Sequence, residues 1–158
     1  MNRFIILYTM IIFCGLAACK EVDVNQRIAD IPDHQWGKHL SATIDLDVKD
    51  TANYALYLIF RHTEQYPYNN IVAKITIKDT ANHTVAAFTV NAPLTSTSGK
   101  WDGRNIDDLY DHFIKLNKVI PLKKSRYRFI INQLMKDDPL PYVLNAGIAI
   151  EKQNETGQ

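Results

Sequence analysis

Leu40-Ser41-Ala42-Thr43-Ile44-Asp45-Leu46-Asp47-Val48 alternates apolar and polar residues without a break. Successive side chains of a strand point to opposite faces, so this period of two describes a strand with one face buried and one in water. A helix would scatter the same apolar residues around its circumference. Working outward, Lys49-Asp50-Thr51-Ala52-Asn53 supplies turn chemistry, and Tyr54 to Arg61 is aromatic or branched on both faces, as suits a central strand. Gln65 to Asn70 interrupts, with Pro67 unable to donate to a ladder. Ile71, Ala73, Ile75 and Ile77 then alternate with polar or smaller neighbours, and the segment pairs with Val85 to Val90 as an expected hairpin. Asn91 to Gly99 reads as a loop, and Trp101-Asp102-Gly103 as a reversal with positive φ at the glycine. Asp107 to Leu116 suits either a short helix or an extended segment. Tyr127, Phe129, Ile131 and Gln133 form one face of a further strand, and Leu144, Ala146, Ile148 and Ile150 one face of the last. Six or seven strands with no long amphipathic helix predict an all-β fold, a single antiparallel β-sandwich of jelly-roll type, with a small eight-stranded β-barrel as the alternative.

The start of the chain reads differently. Asn2 and Arg3 precede an apolar run from Phe4 to Cys14, and Leu16-Ala17-Ala18-Cys19 ends it with small residues before a thiol. That is the pattern of a lipoprotein signal peptide, with diacylglycerol expected on the sulfur of Cys19. The run is too short for a membrane span, which needs roughly 20 apolar residues. The expected organisation is therefore a signal peptide over 1–18, a lipidated N-terminus and tether over 19–35, a sandwich over 36–152 and a polar tail over 153–158. Cys14 leaves with the leader, so the mature chain has no second thiol and relies on its core instead of a disulfide. Loss of Arg3 leaves 17 basic against 17 acidic residues, a neutral balance that gives no electrostatic reason to bind nucleic acid.

Few residues point to chemistry. His34, His39, His62, His83 and His112 show no i, i+2 or i, i+4 pairing, so they read as scattered surface or turn residues, with no metal expected. Asp107, Asp108 and Asp111 lack the glycine and closing glutamate of a calcium loop and read as solvated charge. The mature chain has no Gly-x-Ser-x-Gly elbow, and its cysteine is assigned to the anchor, so the reading is no enzyme and no cofactor. Trp36, Trp101, Tyr66 and Tyr68 either close the ends of the core or present platforms for sugar rings. A surface lipoprotein that binds polysaccharide is accordingly the alternative function.

Three stretches together resemble the gliding-motility lipoprotein GldH family of Bacteroidetes. They are Tyr54 to Thr63 followed by Tyr66-Pro67-Tyr68-Asn69-Asn70-Ile71; Gly99-Lys100-Trp101-Asp102-Gly103 with Asp107 to Asp111; and Tyr127 to Met135 with Leu140-Pro141 and Gly147 to Glu151. Tyr142 stands where glycine is frequent in that family. The resemblance implies a non-catalytic envelope lipoprotein associated with gliding motility and with the type 9 secretion machinery. Its implied partners are other envelope or motility proteins, and the membrane through the lipid. Arg61, Tyr66, Tyr68 and Trp101 are the candidate partner-binding or structural residues. Lys20 after the acylated cysteine gives no aspartate-type inner-membrane retention signal, and Lys20-Glu21-Val22-Asp23 matches the export signal of that phylum only in part. The expected location is the periplasmic face of the outer membrane.

Overall fold

The computed structural model describes residues 24–153. The signal peptide, Cys19 and the first part of the expected tether lie outside the described residues, as does the tail after Gln153. Eleven strands run β1 (Val24–Asp30), β2 (Gln35–Trp36), β3 (Ala42–Val48), β4 (Ala52–Thr63), β5 (Asn70–Lys78), β6 (Thr84–Pro93), β7 (Arg104–Ile106), β8 (Leu109–Leu122), β9 (Ser125–Gln133), β10 (Leu140–Pro141) and β11 (Val143–Lys152). They form a five-stranded sheet ordered β1-β11-β4-β8-β7 and a four-stranded sheet ordered β3-β9-β5-β6, with β2 and β10 as a small separate pair. Leaving out the three shortest strands, the chain order is first-eighth-third-sixth in one sheet and second-seventh-fourth-fifth in the other. That is the strand order of a jelly roll, two interlocked Greek keys. The sandwich reading holds, and two sheets with separate edges replace the barrel alternative.

Periodicity explains most of the elements. β3 buries every second residue, Ala42, Ile44, Leu46 and Val48, while Thr43, Asp45 and Asp47 face water. β4 sits between β11 and β8, which accounts for its apolar character on both faces. Trp36, Phe60 and Phe129 are fully buried and fill the space between the sheets with Leu56, Leu58, Ile75 and Ile131. The Asp107–Leu116 ambiguity resolves to the extended form, because β8 pairs along β4 from Leu109 to Leu122. Tyr142 has φ 66°, a left-handed conformation that glycine adopts freely and a tyrosine does not.

The folded part begins earlier than the sequence predicts. Val24 to Asp30 is an edge strand paired with β11 from Glu151 to Asn145, so this part of the expected tether belongs to the sandwich. Its side chains are mostly exposed and polar, which made it resemble a linker; the backbone ladder, which composition does not register, holds it in place. Gly147 makes this pairing possible. A Cβ there would lie 2.5 Å from the Arg27 carbonyl oxygen and 2.7 Å from Ile28 Cγ2. Gly147→Val is therefore expected to push β1 off the sheet and cost about 1–3 kcal/mol. Urea unfolding checks the loss of stability, and limited proteolysis before residue 31 checks the release of β1; an unchanged midpoint would contradict it.

Candidate functional site

Two regions of the five-stranded sheet carry the polar and aromatic residues that periodicity alone does not explain. The first is inside one end of the sandwich. His62, on β4, and His112, on β8, continue the inward phase of their strands and are 0 % and 3 % exposed. Their Nε2 atoms are 2.9 Å apart and their rings are stacked at 5.0 Å. His62 Nδ1 lies 2.7 Å from the Thr63 carbonyl, which can only accept, so the proton of His62 sits on Nδ1. Its Nε2 is then bare, and His112 Nε2–H donates to it. His62 must be neutral for this bond, since its Nε2 is the acceptor. Burial lowers the pKa of both; for His112, burial and then repulsion from His62 bring it to about 4.

Aromatic rings seal the pair. Trp101 meets His62 edge-on at 4.5 Å, Tyr66 packs on it at 4.8 Å, and Tyr110 stacks at 5.8 Å. The loop after β6 brings Trp101 there: Ser96 N–H donates to the Lys100 carbonyl, Gly99 turns with φ 78°, and Asp102 N–H donates to the Leu94 carbonyl. Gly99, not Gly103, therefore takes the positive φ. Gly103 is needed for a different reason, since a Cβ would sit 2.8 Å from the Asp111 carbonyl oxygen and 2.9 Å from the His112 ring. Tyr66 is buried, its hydroxyl donates to the Asn70 carbonyl at 3.1 Å, and burial pushes its pKa up. Tyr68 is half-buried and edge-on to Tyr66 at 5.9 Å, and the Asp137 carboxylate beside it raises its pKa.

The second region is the outer face of the same sheet. Arg61 points out from β4 and forms a two-pronged ion pair with Asp111, directly opposite on β8. That hydrogen bond holds the Asp111 carboxyl below its ordinary range. Arg104 on β7 stands on the other side of Asp111, so two guanidinium groups flank one carboxylate. Beside this charged row runs an apolar one: Ile28, Gly147, Ile59 and Phe113 are consecutive register partners across β1, β11, β4 and β8. Phe113 stacks on Tyr57 at 4.8 Å and is 51 % exposed. A shallow depression of about 330 Å³ lies over Ile28, Ile59, Arg61, Arg104 and Phe113.

The outer faces of the two sheets differ. Val24, Ile28, Ile106, Phe113 and Val119, five of the eight large hydrophobic residues exposed among the described residues, share the outer face of the five-stranded sheet by their register. The four-stranded sheet instead presents the ion pairs Arg126–Asp47 at 2.7 Å and Arg128–Asp45 at 2.9 Å.

Of the predicted residues, Tyr66, Tyr68 and Trp101 come together at the end of the sandwich, and Arg61 lies on the outer face. Sequence reasoning missed His62 and His112, taken as scattered surface or turn residues. They are strand residues in the core, and their inward phase with Phe60 and Ile114 was the available signal. Asp111, read as solvated charge, is the partner of Arg61. Phe113 was also missed. Among the described residues no group of three or more His, Cys, Asp or Glu gathers in a way that could hold a metal.

A family model described as GldH lipoprotein matches residues 23–150. No curated protein matches the chain. Among solved structures, a protein from Sulfurospirillum deleyianum is 13% identical, with 83% of this chain and 99% of that one covered and a TM-score of 0.45. A Xyl-CBM35 in complex with a glucuronic acid containing disaccharide is 11% identical, with 75% and 74% covered and a TM-score of 0.43. The infectious bursal disease virus T13 particle protein is 14% identical with a TM-score of 0.45; the match covers 85% of this chain but 33% of that one.

Proposed function

We propose, from the premise that this chain belongs to the GldH lipoprotein family, that it is a non-catalytic component of the cell envelope, tethered by lipid at Cys19, which serves gliding motility and the type 9 secretion machinery by docking other envelope proteins. The observation that carries this reading is the contrast between the outer faces of the two sheets. A contiguous apolar patch beside arginine is the composition of a protein contact, where aromatic and arginine anchors dominate affinity. The five-stranded sheet has that composition in Phe113, Tyr57, Ile28, Ile59, Arg61 and Arg104, whereas the four-stranded sheet is closed by ion pairs.

The ring geometry favours this reading over sugar binding through Trp101 and Tyr66. Trp101 packs edge-on against His62, and Tyr66 is 3 % exposed, so neither offers a flat open platform. The described residues contain no helix long and apolar enough to cross a membrane. The Leu16-Ala17-Ala18-Cys19 pattern supports lipid as the attachment, and Lys20 after the cysteine supports the periplasmic face of the outer membrane as its place.

Deletion of the gene is expected to stop cells spreading on a surface and to retain type 9 cargo. Complementation with Cys19→Ala is expected to leave an intact protein in the soluble fraction, because one thioether carries the whole anchor. Spreading is not restored in that strain. Fractionation with immunoblotting and a spreading assay test both points. Normal gliding by cells that hold only the soluble form would contradict the anchoring role, and normal gliding by the deletion strain would contradict the function.

A further inference from the structure

One flank of the sandwich is shut and the other is open. On the shut flank β1 lies against β3, Asn25 Nδ2 donates to the Asp47 carbonyl at 2.9 Å, and Leu46 and Val48 are buried. On the open flank β6 ends the four-stranded sheet, while β7 pairs with β8 only from Leu109 to Asp111 and leaves the rest of that edge uncovered. Ala86, Phe88 and Val90 of β6 and Ile114 and Ile120 of β8 pack against the core there but are only half-buried. A groove of about 270 Å³ runs between the two strands, lined by Thr89–Pro93 and Ile114–Lys118.

Proteins usually blunt an exposed edge strand with charge, because its unpaired N–H and C=O groups template another strand. Of the end strands of the two larger sheets, β1 carries Arg27 and Asp30, β7 carries Arg104, and β3 carries Asp45 and Asp47. β6 is ten residues long and carries no charge. The charges that line the groove are of one sign: Lys115 and Lys118, with Lys118 Nζ 5.8 Å from the Phe88 ring; Lys74 stands opposite Thr89 on β5, and the Asp79 carboxylate lies at the far end of the strand, accepting from His83 N–H.

We propose that β6 receives an extended strand of a partner protein, paired edge to edge. Apolar side chains of that strand fill in over Phe88, Val90 and Ile114, and acidic side chains at its margins meet Lys115 and Lys118. The backbone ladder supplies affinity in such strand addition, and the side chains supply selectivity. A second copy of this chain is the wrong occupant. Pairing β6 with another β6 would bring lysines against lysines, and neither β6 nor the Phe113–Leu122 stretch of β8 holds a carboxylate to offset them.

The test uses the full lipidated chain in detergent micelles, with two synthetic eight-residue peptides, one alternating Glu and Val and one alternating Lys and Val. The Glu-Val peptide is expected to slow amide hydrogen exchange within 84–93 and to bind at least about tenfold more tightly than its Lys-Val counterpart. Lys115→Glu with Lys118→Glu, both exposed, is expected to reverse that preference. Three results would each overturn the proposal: no slowing within 84–93, equal binding of the two peptides, or protection of β6 that rises with protein concentration in the absence of peptide. Lys115 lies over Tyr57 on the outer face of the five-stranded sheet, but β6 belongs to the four-stranded sheet, so slowed exchange within 84–93 reports on this strand whether or not that outer face docks anything.

Discussion

Taking the protein from pH 7 to pH 4 is expected to remove about 3 kcal/mol of folding stability through His112 alone. The sign follows from where the protons go. Burial and then the neighbouring His62 bring the folded His112 to about 4, whereas the unfolded imidazole titrates near its ordinary 6.5. Between those values the unfolded chain binds the extra proton, so stability is full above pH 6.5 and falls as acid is added, levelling off once the folded pKa is passed. His62 is shifted in the same direction by burial and adds to the loss. Protonating its Nε2 would place two N–H groups head to head across 2.9 Å. The carboxylates act in a different window. Asp111, held low by its hydrogen bond to Arg61, contributes stability that is present above 3.8 and lost only below it. His112→Gln keeps an N–H donor for His62 but cannot titrate, so its urea midpoint is expected to fall much less between pH 6.5 and pH 4 than that of the unchanged protein. A wild-type midpoint that stays flat over that range would refute the buried neutral pair.

Ile28→Glu combined with Phe113→Glu is expected to weaken partner association by at least about a hundredfold. Both side chains are about half exposed, at 49 % and 51 %, so placing carboxylates there leaves the core intact and changes the surface alone. In a covered interface each new carboxylate would be stripped of water beside Ile59 and Tyr57, and it would compete for the Arg61 and Arg104 guanidinium groups in the same depression. Asp45→Ala with Arg128→Ala, on the other sheet, removes an exposed ion pair of small energetic value and is the matching control. Co-purification from native envelopes and surface spreading should both fail for the first pair and survive for the second. Retained association by the Glu pair would move the contact elsewhere on the molecule.

What could be read from the chain follows from how each feature is encoded. β3, β5 and β9 announce themselves because one face of each lies in the core, and burial writes a period of two into neighbouring residues. β1 does not, because its place is held by a ladder to β11 and by the missing side chain of Gly147 more than by side chains of its own. The histidine pair and the Arg61–Asp111 bridge each join residues 50 apart in the chain, so a search for close spacing passes over them. They meet because β4 and β8 are antiparallel neighbours, and that pairing is a property of topology. Trp101 and Tyr66 are visible as unusual residues in loops, but that Trp101 seals a buried histidine pair depends on the loop from Leu94 to Gly103 folding over the end of the sandwich.

The central claim is that the outer face of the five-stranded sheet is covered by a partner in the living envelope. Phe113→Cys and Thr43→Cys place one thiol on each outer face, and a Cys19 sulfur held in the proposed lipid thioether does not compete for the label. Maleimide labelling is then compared between native envelopes and the purified protein. The account predicts that the thiol at 113 is shielded in envelopes and reacts freely after purification, while the thiol at 43 reacts equally in both. Equal, rapid labelling of both positions in native envelopes would contradict it.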